Sequence, residues 1–130
     1  MNVRIIDIPK IENTLGNIAV MENGSIPFDI KRVYYLYDIP SSSKRGGHSH
    51  KNLQQILIAI SGSFDVVLKN GSSVKTITLN KPDKGLFIEN HIWRELQNFS
   101  SGAVCMVLAS DVFKEEDYIR DFDQFMISKK

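Results

Sequence analysis

Two histidines one residue apart close the run Arg45-Gly46-Gly47-His48-Ser49-His50. They stand just before an apolar run, Ile56-Leu57-Ile58-Ala59-Ile60. Side chains alternate along an extended strand, so in that conformation both imidazoles share one face. Such a pair on the inner wall of a β-barrel can hold a metal or move protons near neutral pH. A lone histidine is usually structural, but two at this spacing, after Arg-Gly-Gly, point to function. Arg45 beside them suits an anion. Arg32 and Tyr34 share one face of a second extended segment, and Tyr35 and Tyr37 take the other face as packing residues. Trp93 and Arg94 stand where a barrel mouth could meet a ligand.

Short β-segments separated by turn signals carry these residues. Val3 to Ile6 reads as a first strand ended by Pro9, and Asn17 to Glu22 as a second closed by Asn23-Gly24. Lys31 to Tyr37 is rich in β-branched and aromatic residues. Leu53 to Ile60 is apolar on both faces, as a strand buried between two layers would be. Phe64 to Leu68 and Val74 to Leu79 flank Asn70-Gly71, a pair that favours a type I′ hairpin. Leu86 to Ile88, Ile92 to Leu96 and Ala103 to Ala109 complete the series. This spacing predicts an antiparallel sandwich or barrel. Tyr118, Ile119, Phe122, Phe125 and Met126 recur at helical spacing. They predict one carboxy-terminal helix, with Glu115, Glu116 and Asp117 in its first turn.

Composition excludes several classes. A chain of 130 residues, 42% hydrophobic and 24% charged, fits one globular domain over residues 1–130 with a real core. With 16 basic and 15 acidic residues the balance gives no electrostatic reason to expect nucleic acid or an anionic membrane as partner. The single cysteine, Cys105, forms no intrachain disulfide and sits in an apolar run, which reads as a core thiol. No stretch approaches the ~20 apolar residues of a membrane span, and the start of the chain has no apolar signal region. A cytoplasmic enzyme or binding module is expected.

The histidine region resembles the cupins, small jelly-roll barrels. Their first motif reads G-x-x-x-x-x-H-x-H-x-x-x-x-E-x-x-x-x-x-x-G. Here His48, His50 and Gly62 match, Ser42 replaces the first glycine, and Gln55 stands at the glutamate. In the second motif Gly85 matches, but Leu96 occupies the histidine position. The usual ligand set of three histidines and one glutamate thus becomes His48, His50, Gln55 and Leu96. Leucine cannot ligate, and a neutral amide is a poorer ligand than a carboxylate. His91 is a possible replacement. The better reading is a barrel without metal or other cofactor, whose histidines act as acid and base.

A closer resemblance runs through nearly the whole chain, about residues 3 to 127. It rests on Lys31-Arg32-Val33-Tyr34-Tyr35, Arg45-Gly46-Gly47-His48-Ser49-His50-Lys51, Leu53-Gln54-Gln55 and Ser61-Gly62-Ser63. It continues in Gly85-Leu86-Phe87-Ile88, Ile92-Trp93-Arg94-Glu95 and the tail Asp117-Tyr118-Ile119-Arg120-Asp121-Phe122-Asp123. In this order the motifs are similar to the sugar 3,4-ketoisomerases acting on dTDP-4-keto-6-deoxy-D-glucose. The resemblance implies an all-β cupin jelly-roll barrel with a short carboxy-terminal helix. It implies a homodimer with exchanged amino-terminal strands, and a product that is a dTDP-3-keto-6-deoxyhexose for 3-amino-3,6-dideoxyhexoses of surface glycans. By position His48 is the base at carbon 3, and His50 and Tyr34 shuttle protons between oxygens. Arg32, Arg45, Gln55, Trp93 and Arg94 are the expected substrate-binding residues, with Arg32 and Arg45 on the diphosphate. Two departures bear on the sugar pocket. Relatives often carry Asp-x-Arg-Gly where this chain has Asn13-Thr14-Leu15-Gly16, and Pro-Pro where it has Glu89-Asn90 before His91. A sugar-nucleotide 3,5-epimerase and a non-enzymatic sugar-binding cupin are the alternatives, and a metal-dependent oxygenase is a weaker one.

Overall fold

The computed structural model describes residues 1–130. Twelve strands in chain order are β1 Val3–Asp7, β2 Lys10–Ile11, β3 Ile18–Ala19, β4 Arg32–Leu36, β5 Arg45–His50 and β6 Gln55–Ser61, followed by β7 Phe64–Lys69, β8 Val74–Leu79, β9 Lys84–Ile88, β10 Trp93–Gln97, β11 Val104–Ala109 and β12 Tyr118–Ile119. A 3-10 turn spans Glu115–Asp117, and one helix, α1, spans Phe122–Ser128. Two five-stranded antiparallel sheets face each other, in the orders β1-β9-β6-β11-β4 and β12-β5-β10-β7-β8. The all-β barrel with a short terminal helix is as expected.

Alternation builds the core between the sheets. Phe64, Val66 and Leu68 of β7 point inward and are buried, and they meet Leu57, Leu86, Ile88, Cys105 and Val107 of the opposite sheet. β6 is buried on both faces. Its Ile56 and Ile58 look outward to Ile8, Phe87 and Leu108, under a cover of Met21, Ile26, Phe28 and Ile30 from the chain between β3 and β4. Cys105 is a core thiol, as expected, and burial pushes its pKa up to about 12.

Four local expectations are corrected. Strand pairing in the second segment is confined to Ile18–Ala19, which pairs with Lys10–Ile11. The Asn70-Gly71 turn is not a two-residue hairpin loop, because Lys69 pairs with Val74. The loop therefore holds four residues, and the Asn70 side chain closes it by accepting from the Ser72 and Ser73 amides. The terminal helix begins only at Phe122, where Asp121 accepts from the Gln124 amide as N-cap. The acidic stretch before it is a 3-10 turn, and Tyr118–Ile119 pairs with His50 and Ser49 as an edge strand. Tyr35 and Tyr37 do not pack into the core. Tyr35 on edge strand β4 and Tyr37 just past its end meet each other, ring centroids 5.7 Å apart, and are 61% and 62% exposed.

Candidate active site

A cavity of about 420 Å³ opens between the sheets, lined by inward side chains of β4, β5, β6, β10 and β12. β4 contributes Arg32 and Tyr34, which share its inner face as expected. β6 contributes Gln55, and β10 contributes Arg94 and Leu96. His48 and Arg45 both come from β5.

That last pair needs an irregular strand. Residues 45 and 48 would point to opposite faces of a regular strand. Here Arg94 pairs with His48 while Leu96 pairs with Arg45, so three steps on β5 oppose two on β10. The extra residue is taken up by a bulge in which Gly46 has φ +72°. Glycine adopts this left-handed conformation without the Cβ penalty. The bulge turns Arg45 back to the side of His48. Arg-Gly-Gly is therefore part of the site's construction.

The two histidines are neighbours, as strand alternation required. Their ring centroids are 4.8 Å apart, edge to face. They are not equivalent. His48 lines the cavity, whereas His50 is completely buried and does not. His50 Nδ1 lies 3.0 Å from Asp117 Oδ2. The Asp117 carboxylate also accepts from the amides of Asn52 at 2.8 Å and Leu53 at 3.3 Å. An acceptor with these partners takes a hydrogen from His50 Nδ1 and leaves Nε2 as its unprotonated nitrogen. Burial, then the Arg94 charge, lowers the His48 pKa to about 2 and that of His50 to about 3. Both imidazoles are neutral at physiological pH, and His48 can accept a proton.

Arg94 is 1% exposed and has no carboxylate partner. Its Nη1 donates to Gln55 Oε1 at 2.6 Å and its Nη2 to the Ile92 carbonyl at 3.0 Å. Burial lowers its pKa to about 10, so it stays charged at neutral pH. Gln55 Nε2 in turn donates to the Tyr34 hydroxyl at 2.9 Å. Burial raises the Tyr34 pKa, which keeps the phenol protonated. Arg32 stacks near the Tyr34 ring, 5.0 Å from its centroid, with buried Nε and Nη2 unpaired.

The cavity wall holds four arginines (Arg32, Arg45, Arg94 and Arg120) and no acidic side chain. This is a site for an anion. Tyr118 packs on both histidines at 5.1 and 4.4 Å, and the Arg120 guanidinium lies 4.1 Å over its ring. Glu115 holds Arg120 through two hydrogen bonds of 2.7 and 2.9 Å. Asp117, Tyr118 and Arg120 were missed as site residues by the sequence reading, although they belong to the tail of the resemblance. The helical spacing of the apolar residues around them concealed an edge strand that pairs with His50 and Ser49.

Trp93 does not belong to the site. It precedes Arg94 on β10 and so faces the other side, where it packs against Phe122 and Phe125 of α1. Its Nε1 donates to Glu95 at 2.8 Å. It anchors the helix to the barrel. Leu15 is 96% exposed, and neither it nor His91 lines the cavity.

The site does not fit the metal that many cupins hold. No three His, Cys, Asp or Glu side chains come together. The Gln55 oxygen, at the position of the cupin glutamate, faces the Arg94 cation instead. A divalent ion there would meet a guanidinium.

Comparison with known proteins agrees with this construction. The family model described as FdtA, WxcM-like, C-terminal, matches residues 1–130. The TDP-4-oxo-6-deoxy-alpha-D-glucose-3,4-oxoisomerase of Aneurinibacillus thermoaerophilus is 44% identical over 126 residues, covering 96% of this chain and 91% of its own. A 3,4-ketoisomerase structure from Helicobacter canadensis superposes with a TM-score of 0.96 at 45% identity, covering 99% of this chain and 98% of that one. A mutant of the 3,4-ketoisomerase QdtA from Thermoanaerobacterium thermosaccharolyticum, in complex with TDP-4-keto-6-deoxyglucose, gives 0.96 at 41% identity, with coverages of 98% and 94%. A full-length family match and relatives above 40% identity, on a barrel with paired histidines and an arginine-lined cavity, place the chain in the FdtA family of sugar 3,4-ketoisomerases.

Proposed function

We propose that the protein converts dTDP-4-keto-6-deoxy-D-glucose to a dTDP-3-keto-6-deoxyhexose, without metal or redox cofactor, for 3-amino-3,6-dideoxyhexose synthesis. One observation carries the reading. A neutral imidazole, His48, lies on the wall of an anion-binding cavity beside a buried cation, Arg94, its cross-strand partner.

The carbon 3 hydrogen of the substrate is acidified by the ketone at carbon 4. His48 removes it, and the electron pair moves into an enediolate across carbons 3 and 4. Arg94 is a preorganised charge for the oxyanion, in a cavity where such a charge counts for more than in water. Tyr34 gives its proton to the carbon 4 oxygen and recovers one from the carbon 3 oxygen. The imidazolium returns its proton at carbon 4, and the ketone is left at carbon 3. His50, expected as a second proton shuttle, is fully buried and does not line the cavity, so it takes part from behind: Asp117 fixes its tautomer, and its ring supports His48. Arg45 and Arg120, both exposed at the cavity, suit the diphosphate, where a guanidinium fork meets paired oxygens; Arg32, the other residue expected there, is half-buried against the Tyr34 ring.

The protein works as a homodimer in the cytoplasm on this reading. Strand exchange would keep the pairing of β1 with β9, Val3 opposite Ile88 through Asp7 opposite Lys84, but between chains. The exposed Val33 and Tyr35 of edge strand β4, with Tyr37 just past its end, support a second copy as cover. No helix is long and apolar enough to cross a membrane.

The test is product analysis by proton NMR after incubation with dTDP-4-keto-6-deoxyglucose and a chelator. A 3-keto sugar is expected. A product inverted at carbon 3 or 5 with its ketone still at carbon 4 would make the protein an epimerase. Binding without turnover would make it a sugar-binding barrel.

A further inference from the structure

Gln55 occupies the position where a cupin carries its metal-binding glutamate, and the structure gives the amide a different task. Its two ends are not interchangeable. A guanidinium has donors and no acceptor, so the end facing Arg94 Nη1 at 2.6 Å must be the oxygen. The NH₂ end then faces the Tyr34 hydroxyl at 2.9 Å and must donate to it. The Tyr34 oxygen is therefore an acceptor in this bond, and its own hydrogen points elsewhere. It has no other hydrogen-bond partner in the protein, and Tyr34 lines the cavity.

We infer that Gln55 is a positioning residue: held by Arg94, it turns the Tyr34 hydroxyl hydrogen away from the wall and toward the substrate oxygen. The inference rests on the proposed isomerisation and adds to it the reason for an amide at this position. In the forward step the Tyr34 O–H bond breaks and a bond forms between that proton and the carbon 4 oxygen. The resulting tyrosinate keeps the Gln55 N–H as a donor and has the Arg94 charge nearby. It is neutralised when it takes the proton of the carbon 3 hydroxyl, so the phenol is regenerated and no co-reactant is consumed. A carboxylate at position 55 would do the reverse. It would accept from Arg94 and from the Tyr34 O–H together, turn the hydrogen into the wall, and oppose the tyrosinate.

The experiment compares two rates in deuterated water with chelator present: washout of the carbon 3 hydrogen and formation of the 3-keto sugar. The variants are Gln55→Glu, nearly isosteric, and Gln55→Met, which fills the space without a donor. Each is also made in a Tyr34→Phe background. Folding and dTDP binding are checked for all. The expected result for Gln55→Glu is isomerisation lower by on the order of 10²-fold, the scale of one acid–base group; because its carboxylate also pairs the Arg94 charge, exchange falls with it. Gln55→Met adds no counter-ion, and for it exchange within about threefold of wild type and isomerisation about tenfold lower are expected. In the Tyr34→Phe background Gln55→Met should cost no more than about threefold further, because the residue acts through Tyr34. The inference is overturned if Gln55→Glu isomerises at the wild-type rate, or if Gln55→Met loses exchange and isomerisation together. It is also overturned if Gln55→Met costs as much without Tyr34 as with it. Should the Glu variant fail to fold, the Met pair decides alone. If wild-type protein itself shows no exchange at carbon 3, the proposed reaction has failed and not the role of Gln55.

Discussion

Arg94 and His48 are cross-strand partners on β10 and β5, and the guanidinium of the pair is buried without a counter-ion. A buried, unpaired cation is costly to folding. Beside the imidazole it opposes protonation of His48, and in the proposed reaction it is the charge that meets the oxyanion. Arg94→Met should abolish isomerisation, by on the order of 10²-fold or more, while leaving the fold intact or more stable. Thermal denaturation and product formation on the same samples check both halves.

The bulge at Gly46 makes a second prediction. A Cβ there would sit 3.3 Å from Leu96 Cγ, and the residue would be held at φ +72°. For an L-residue the left-handed conformation costs roughly 1–2 kcal/mol. Gly46→Ala should lower stability by about that amount. A strand that relaxes to regular pairing turns Arg45 out of the cavity, so KM for the sugar nucleotide should rise with little change in kcat. Arg45→Ala should mimic the KM effect without the stability loss.

The pH dependence follows from neutral, buried imidazoles. With His48 at about 2 and His50 at about 3 in the folded chain, and about 6.5 in the unfolded chain, the folded state refuses protons that the unfolded state accepts. Stability should thus be flat for these groups above pH 6.5 and fall as pH drops below it, with a slope of roughly one to two protons. Urea titrations at pH 7.5, 6.5 and 5.5 read this directly. The exchange rate at carbon 3 should lack an acidic limb near pH 6.5.

Asp117 is the third partner. Asp117→Asn keeps the shape but cannot accept at both oxygens from His50, Asn52 and Leu53. A loss of about 1–3 kcal/mol is expected. Nitrogen-15 NMR should show a changed tautomer ratio for one histidine. Isomerisation should fall more than substrate binding does.

The barrel was legible in the sequence because it rests on alternation. β4 puts Arg32 and Tyr34 on one inner face, β6 is buried on both faces, and His48 and His50 meet as their spacing required. What escaped depends on neighbours that a sequence does not display. Trp93 and Arg94 both look suited to a ligand, and only the pleat of β10 against α1 separates anchor from site. Asp117, Tyr118 and Arg120 lie in a segment whose apolar spacing imitates a helix. Pairing of Tyr118 with His50 overrides that local signal. The bulge was signalled by Gly46-Gly47, but its consequence for Arg45 needed the register with Leu96.

The central claim is that His48 takes the carbon 3 hydrogen and begins a transfer of the ketone. The most direct measurement is proton NMR of dTDP-4-keto-6-deoxyglucose in deuterated water with wild-type protein and with His48→Asn. The account predicts loss of the carbon 3 signal and growth of a 3-keto sugar with the wild type. It predicts both processes slowed by at least about 10²-fold in a variant that still binds dTDP. Exchange at the wild-type rate in His48→Asn would contradict it and move the base to another residue. A carbon 3 proton that never exchanges in the wild type would contradict the enediolate itself.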